Sequence, residues 1–466
     1  MSNNSTISYI QQQVSSTRTV WDILWSSLFV IFTCTWTVQH LNVPEQRDEK
    51  DPGFKGDVKW GLKSFWTSTK WMCITILAPE VLITLNLGQL FDAMNSTARL
   101  KKFAKQDRVP WTLTHSLFAN MGGFVLREYE SERAATYHLS SLPLNSDGEE
   151  GVQKHEQAQP VGATTAARQE QVMSGSITYL LAHEILELRS RGLIKLPYIT
   201  KEEIMDKSKS DSFARLLATS QTLWLVVQMI VRASRHLEVS QLEIGTTAFA
   251  SCAVTIYVLN WHKPKGVGVP WTIGTYPGPS PWEFEAILEQ NPGNNWAVAR
   301  FVRILAYSLK APRSSSIPNH HRYTGDKNVS DDIDTSFWES YSFLFSSAVF
   351  GAIHFAAMKS TFPSHIEKVL WLAASSVCSC IALLSVVIFM VLTTGIFFIE
   401  HHLSGRLAET MNGYLAVWLS MLNPVGVATL YVTARLFLIV ELFRCLFFLP
   451  PSAFVATWAS NIPHVS

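Results

Sequence analysis

Seven apolar runs, most of them long enough to cross a bilayer, decide what this chain can fold into. They occupy residues 23–38, 71–91, 216–233, 242–261, 340–358, 369–398 and 413–449. A helix of about 20 residues spans the hydrocarbon layer, where only helices and closed barrels satisfy their own backbone polar groups. The expected fold is all-α: a polytopic α-helical membrane protein with about seven transmembrane helices and two extramembrane insertions. Composition agrees, since 16% of the 466 residues are charged where a soluble domain carries about 25%. The last run is too long for one straight span. Asn423-Pro424 interrupts it, and a proline favours the first turn of a helix, so a fresh helix is expected there.

The run at 71–91, WMCITILAPEVLITLNLGQLF, holds Pro79 and Glu80 at its middle. A carboxylate is costly at that depth, and proline frees a carbonyl of the preceding turn. Two readings stay open. One is a proline kink with a neutral, hydrogen-bonded Glu80; the other is a polar group held in the membrane for a function.

Orientation follows from basic residues. Arg47, Lys50, Lys55, Lys59, Lys63 and Lys70 lie in the first linker, against Arg18 before the first run, which puts the linker in the cytosol and the N-terminus in the lumen. Overlapping sequons at Asn3 and Asn4 fit a glycosylated lumenal N-terminus; Asn95 and Asn328 head two more. Arg99, Lys101, Lys102, Lys105 and Arg108 form a second basic cluster beyond residue 91. One crossing cannot join two cytosolic flanks, so the 71–91 run is re-entrant or one cluster misleads. The polar first 20 residues predict no cleavable signal peptide, leaving the first run as an anchor in the endoplasmic reticulum or another endomembrane.

The chain divides into residues 1–91 (tail and two membrane helices), 92–210 (extramembrane), 211–261 (two membrane helices), 262–339 (a Pro/Gly-rich extramembrane region) and 340–466 (C-terminal membrane helices and tail). Within 92–210, the stretch 145–171 is polar enough to be disordered. The apolar 111–126 is too short to span and is expected to be interfacial or re-entrant. An amphipathic helix is expected at 177–193, and Thr200 with Glu203 has the form of a helix-capping box. The polar tract 313–334 is expected to be mobile.

Several chemistries find no motif. Net charge is +1, which offers no basic field for nucleic acid. All six cysteines lie in apolar runs and read as core residues rather than disulfides or zinc ligands. Walker, dinucleotide, HExxH, GxSxG and aspartate-rich signatures are absent from the sequence. His320-His321 and His401-His402 are adjacent pairs, which point about 100° apart on a helix and suit a metal poorly. No cofactor and no metal are expected.

Candidate site residues are therefore polar groups in or near the membrane. Glu80, His40 and His115 could handle protons, since an imidazole titrates near neutrality; the alternative for each histidine is a bond to backbone or headgroup. Gln221, Gln228 and Arg232 are spaced seven and four apart, hence on one helix face. With Glu243 and Trp224 they could wall a substrate cavity, or simply join helices by hydrogen bonds. Gln241 opens the next helix with Glu243. On the last helix Glu441 and Arg444 could pair with each other or with loops, and Arg435 lies there too. Trp36, Trp71, Trp111, Trp224 and Trp261 sit near expected membrane boundaries as belt residues, or line an apolar pocket able to stabilise a carbocation.

The blocks DILWSSLFVIFTCTWTVQHLNVP (22–44), KWMCITILAPE (70–80), WTLTHSLFANMGGFVL (111–126), the long stretch 199–250, WHKP (261–264) and ELFRCLFFLPPSAFVATWASNIPHV (441–465) carry a resemblance. The chain resembles a large family of fungal integral membrane proteins, some of them linked to natural-product pathways. The resemblance implies an enzyme of secondary metabolism that cyclises, isomerises or performs a cycloaddition on an apolar, terpenoid-class small molecule. Its partners would be that substrate, the lipid bilayer and pathway enzymes in the same membrane. A non-catalytic receptor, carrier or channel is the alternative, and a scaffold a third.

Overall fold

The computed structural model describes residues 17–47, 51–129, 177–209, 212–277, 316–319, 335–402 and 423–457; the stretch 145–171 and nearly all of 313–334 lie outside them. The chain is mostly helical. A long-helix bundle is built from α1 (Val20–Thr37), α2 (Phe54–Leu77), α3 (Pro79–Asp107), α7 (Ser212–Ser234), α8 (Gln241–Leu259), α9 (Thr335–Phe355), α10 (His365–His402) and α11 (Asn423–Arg444). A smaller mixed unit holds α4 (Leu113–Asn120), β1 (Phe124–Tyr129), β2 (Ile177–Leu180), α5 (Ala182–Ser190), α6 (Lys201–Asp206) and β3 (Trp271–Pro277). Each has its own apolar core, and α3 contributes to both: Val81, Leu82, Ile83 and Leu85 to the bundle, Leu100 and Ala104 to the mixed unit.

Five helices among the described residues are long and apolar enough to cross a membrane: Val20–Thr37, Leu216–Ser234, Gln241–Leu259, Tyr341–Lys359 and Val425–Phe448. They become six if the α2–α3 pair counts as one, against the expected number of about seven. The 71–91 run is not one helix. Pro79 disfavours a helical conformation in the residue before it, and Ala78 adopts φ −148°, ψ 66°, so α2 and α3 meet at 110°. The linker read between residues 41 and 70 is in large part the first four turns of α2. Asn423-Pro424 are the first described residues of α11, while the earlier part of that run, 413–422, lies outside the described residues; the 369–398 run lies inside the continuous α10. Helices α9 and α10 touch at Gly351, where a Cβ would collide with Ser379; small residues let membrane helices approach this closely.

The all-α expectation is corrected by a three-stranded sheet in the order β2-β1-β3, with β1 antiparallel to β2 and parallel to β3. The 111–126 segment is not a single element. It is α4, a turn at Gly122 (φ +84°), and the central strand β1. Gly123 meets the Phe118 ring where a Cβ would clash. Phe124, Val125 and Leu126 are all buried, as befits a strand covered on both faces; that is why the segment reads as uniformly apolar. Likewise 177–193 is not one helix. Ile177, Thr178 and Tyr179 are strand formers and pair with Arg127, Leu126 and Val125 of β1, and the helix starts only at Ala182. Thr200 and Glu203 do form a capping box, at the head of the short α6 that stops at Asp206.

Side-chain contacts fix which helix ends share an end of the bundle. At one end, Val43 N–H donates to the Met121 carbonyl at 2.8 Å, Asn260 donates to Asn86 at 2.8 Å, and Lys263 donates to Gln89 at 2.9 Å. This end carries the mixed unit. At the other end Arg18 pairs bidentately with Glu243 at 2.6 and 3.1 Å, and its Nε donates to the Ala453 carbonyl at 2.7 Å. Arg444 there bonds Glu367 on α10 at 2.6 Å rather than Glu441.

His115 ties α4 to the segment before α6. Its Nδ1 accepts from the Thr112 N–H at 3.1 Å, so Nε2 carries the proton and donates to the Ile199 carbonyl at 2.9 Å. Burial pushes its pKa below the usual histidine value, with the Ile199 bond and Glu202 opposing. Removing the ring orphans the buried Ile199 carbonyl, at about 1–3 kcal/mol, and the half-buried Thr112 N–H at less. His115→Ala is therefore expected to lower the thermal unfolding temperature of the purified protein. In the native protein the folded-state pKa lies below the unfolded one, so stability is lost as pH falls below about 6.5. Thermal melts at stepped pH should show that acid slope flatten in His115→Gln.

Candidate functional site

Breaking the helix at Ala78 leaves the Leu77 carbonyl without its helical donor, because Val81 N–H bonds Ala78 instead at 3.2 Å. Two side chains from α11 replace that donor. Tyr431 Oη donates to Leu77 O at 3.0 Å and Arg435 Nε donates to it at 2.9 Å. The same two residues hold Glu80: Tyr431 shares its one hydroxyl proton between the Leu77 carbonyl and Oε1, and Arg435 Nη2 lies 3.4 Å from Oε2. Glu80 is fully buried and Arg435 nearly so. The guanidinium lies 3.7 Å from the Phe350 ring centroid on α9, a cation–π contact that is strong when desolvated. Phe350 in turn packs on His354, and Trp371 of α10 donates to the His354 carbonyl at 3.1 Å. Four elements thus meet at one charge pair. Neither open reading of Glu80 anticipated an arginine partner, although Tyr431 and Arg435 stand four apart on an apolar helix and could have signalled one.

The other bundle candidates separate. Arg232 is buried and donates to the carbonyls of Glu238, Ser452, Ala453 and Val455 at 2.7–3.2 Å, so it clamps the C-terminal segment onto α7. Glu243 closes a capping box with Ser240 and pairs with Arg18. Gln241 donates to the Thr361 carbonyl at 2.6 Å. Gln221 is buried, while Gln228 and Trp224 are half-buried on the same helix. These residues do not converge with Glu80, which sits with α9 and α11. Of the expected belt tryptophans, Trp111 is instead buried in the mixed unit, stacked on Phe124 and bonded to Ser116 at 3.0 Å. Two of the expected core cysteines, Cys73 and Cys380, are exposed on the bundle surface.

His40 does line a cavity. A partly open space of about 40 Å³ lies where α1 ends, between Trp71 of α2, Leu82, Leu85, Asn86 and Gln89 of α3, and Lys263 and Asn319. It holds a water or two, or one polar group of a larger molecule. Its walls divide: Trp71, Leu82 and Leu85 are apolar, while Gln39, His40, Asn86, Gln89, Lys263 and Asn319 are polar. His40 Nδ1 donates to the Val38 carbonyl at 2.9 Å, which makes Nε2 the proton-accepting nitrogen. Lys263 is 6% exposed, and burial lowers its pKa to about 8. Sequence reasoning missed it. A lysine just beyond a span ordinarily reaches water, and only the fold shows that the end of α1, helix α3 and Asn319 close around this one. Among the described residues, no group of histidine, cysteine and carboxylate side chains is arranged to hold a metal.

Residues 166–279 and 325–465, more than half of the chain, match a protein family described as a family of unknown function, DUF8562. The chain belongs to this family. The matched segments include Lys263, Tyr431 and Arg435, and leave Glu80, His40 and His115 outside. No curated protein and no solved structure matches the chain.

The Glu80–Arg435 pair makes a stability prediction. Removing one partner of a buried pair strands the other charge, at about 3–5 kcal/mol, whereas replacing both with apolar groups is often neutral. Arg435→Leu should lower the unfolding temperature in detergent sharply. The double variant Glu80→Leu/Arg435→Leu should recover much of that loss, as read by a thermal scan of the purified proteins.

Proposed function

We propose that the chain is a membrane-embedded enzyme that performs a redox-neutral cyclisation, isomerisation or cycloaddition on an apolar, terpenoid-class substrate, with Lys263 and His40 as its proton-handling groups. The observation that carries the site is a buried lysine and a histidine on the wall of one half-polar cavity. The substrate class and the redox-neutral chemistry rest on the resemblance to fungal membrane proteins of natural-product pathways, with an endomembrane as the setting. Perturbed ionisable groups in a cavity are the usual mark of acid–base work, and a lysine near pKa 8 offers both the amine and the ammonium close to neutral pH. A cavity of about 40 Å³ admits the reacting polar end of a substrate. The apolar remainder would lie against Trp71, Leu82 and Leu85. Glu80 is a polar anchor in this reading, holding α3 and hence the cavity wall. Gln221, Gln228, Arg232, Glu243 and Trp224 serve the bundle and its C-terminal clamp.

The test is an accurate-mass metabolite comparison of the host with the gene deleted, restored, or restored as Lys263→Met. Deletion should accumulate a precursor isomeric with the lost product, and Lys263→Met should reproduce the deletion. A mass difference of oxygen or hydrogen would overturn the redox-neutral chemistry. An unchanged metabolite profile under inducing conditions would overturn the enzyme and favour a carrier or receptor.

The same residue predicts a pH effect that needs no substrate. Its folded-state pKa is below its unfolded one, so between about pH 8 and 10.5 the unfolded chain binds more protons and stability rises with pH. Below that window both states are protonated, and the folded state carries the burial cost in full. Lys263→Met should remove the slope and raise the unfolding temperature at pH 7, in differential scanning fluorimetry. That outcome would also show that lost activity is not lost folding.

A further inference from the structure

Helix α2 carries a surface that the cavity does not use. Phe54, Val58, Leu62, Phe65 and Trp66 are 80%, 53%, 65%, 58% and 68% exposed. Their spacing places them on one helical stripe. Lys55, Lys59 and Lys63 follow three of them by one residue, so they form a second stripe about 100° round the helix. Lys59 and Lys63 lean back on Asp51 and Glu45 at 2.7 and 2.6 Å, and Lys63 lies 4.8 Å from the Trp60 ring centroid. Large apolar side chains beside a lysine row are the pattern of a helix lying in a membrane interface.

The path of the chain gives this helix its place. Lys63 bonds Glu45, in a segment tied to the mixed unit through Val43 to Met121 and Gln46 to Gly268. The start of α2 is therefore at the mixed-unit end of the bundle. Leu77 lies beside Glu80, which is six residues of α3, about 9 Å, inside the bundle from Asn86. Helix α3 then returns to the mixed unit, where Asp107 bonds Arg189 of α5 at 2.7 Å. Since α2 meets α3 at 110°, it lies about 110 − 90 = 20° from the perpendicular to α3. Where α3 follows the bundle axis, α2 runs nearly in the membrane plane.

We propose that α2 and α3 form a re-entrant hairpin opening toward the mixed unit, and that the lysine stripe of α2 is a binding surface for anionic lipid headgroups of that leaflet. The apolar stripe enters the acyl region, while Lys55, Lys59 and Lys63 stay level with the headgroups. Arg99, Lys101, Lys102 and Lys105, near the end of α3, then share that side with the α2 lysines. The two basic clusters no longer conflict, because the chain does not cross between them. The positive-inside rule places this side in the cytosol, where the leaflet is anionic.

Native mass spectrometry of the full chain, purified from vesicles of equal phosphatidylserine and phosphatidylcholine, reads the headgroup preference. We expect phosphatidylserine to be retained at least about fivefold over phosphatidylcholine. Lys55→Gln/Lys59→Gln/Lys63→Gln should bring the ratio close to one. A second measurement places an environment-sensitive fluorophore on Leu62→Cys, in a Cys73→Ala/Cys380→Ala background, in the same vesicles. Emission should be that of an apolar site shielded from aqueous iodide. A preference that survives the lysine substitutions, or a label at position 62 in water, overturns the proposal.

Discussion

The bundle depends on how one broken helix is closed. A chain that stops a helix at Ala78 and restarts it at Pro79 exposes a carbonyl and brings in a carboxylate, both acceptors, in a setting with little water to satisfy them. Tyr431 and Arg435 supply the donors from a helix more than 350 residues away in sequence. This contact could have been replaced by a straight apolar helix at less electrostatic cost. Its retention makes sense if the break itself is needed, and the break is what turns α3 back toward the mixed unit. Phe350 over the guanidinium and the His354–Trp371 contact then extend the same constraint to α9 and α10.

Helix α3 is the beam that couples the two parts. Its 29 residues run to about 43 Å. The first turns sit at the charge pair, the middle forms one wall of the cavity, and the last turns fill the core of the mixed unit. A displacement at Glu80 would therefore move Asn86 and Gln89 against Lys263. In this sense Glu80, which holds no substrate in our reading, still sets the geometry of the groups that would.

Helix positions were legible where a run was both apolar and long: 23–38, 216–233, 242–261 and 340–358 all became helices within a few residues of expectation. Capping was legible too, at Thr200–Glu203. Uniformly apolar short segments were not, because a central β-strand buried on both faces and a buried helix have the same composition. That ambiguity hid β1 within GFVL and β2 within ITYL. The site was legible only in part. Glu80 announced itself as a carboxylate in an apolar run, but its partners are set by packing. Lys263 gave no local sign, since its burial is produced by residues from α1, α3 and the 316–319 segment.

The cavity and the α2 surface share a cause. Both exist because the chain enters the bundle obliquely at α2 and leaves it along α3, so that Trp71 on one limb and Leu82 and Leu85 on the other face the same space. A straight span through 71–91 would carry Trp71 and Leu85 to opposite levels and leave no wedge between the limbs. The wedge opens at the level where α1 and α8 end, which is also where an amphipathic molecule dissolved in the leaflet would present its polar end. In the function we propose, a lysine set there would meet the polar end of a bilayer-dissolved substrate, and the amphipathic limb α2 would keep the wedge at that depth.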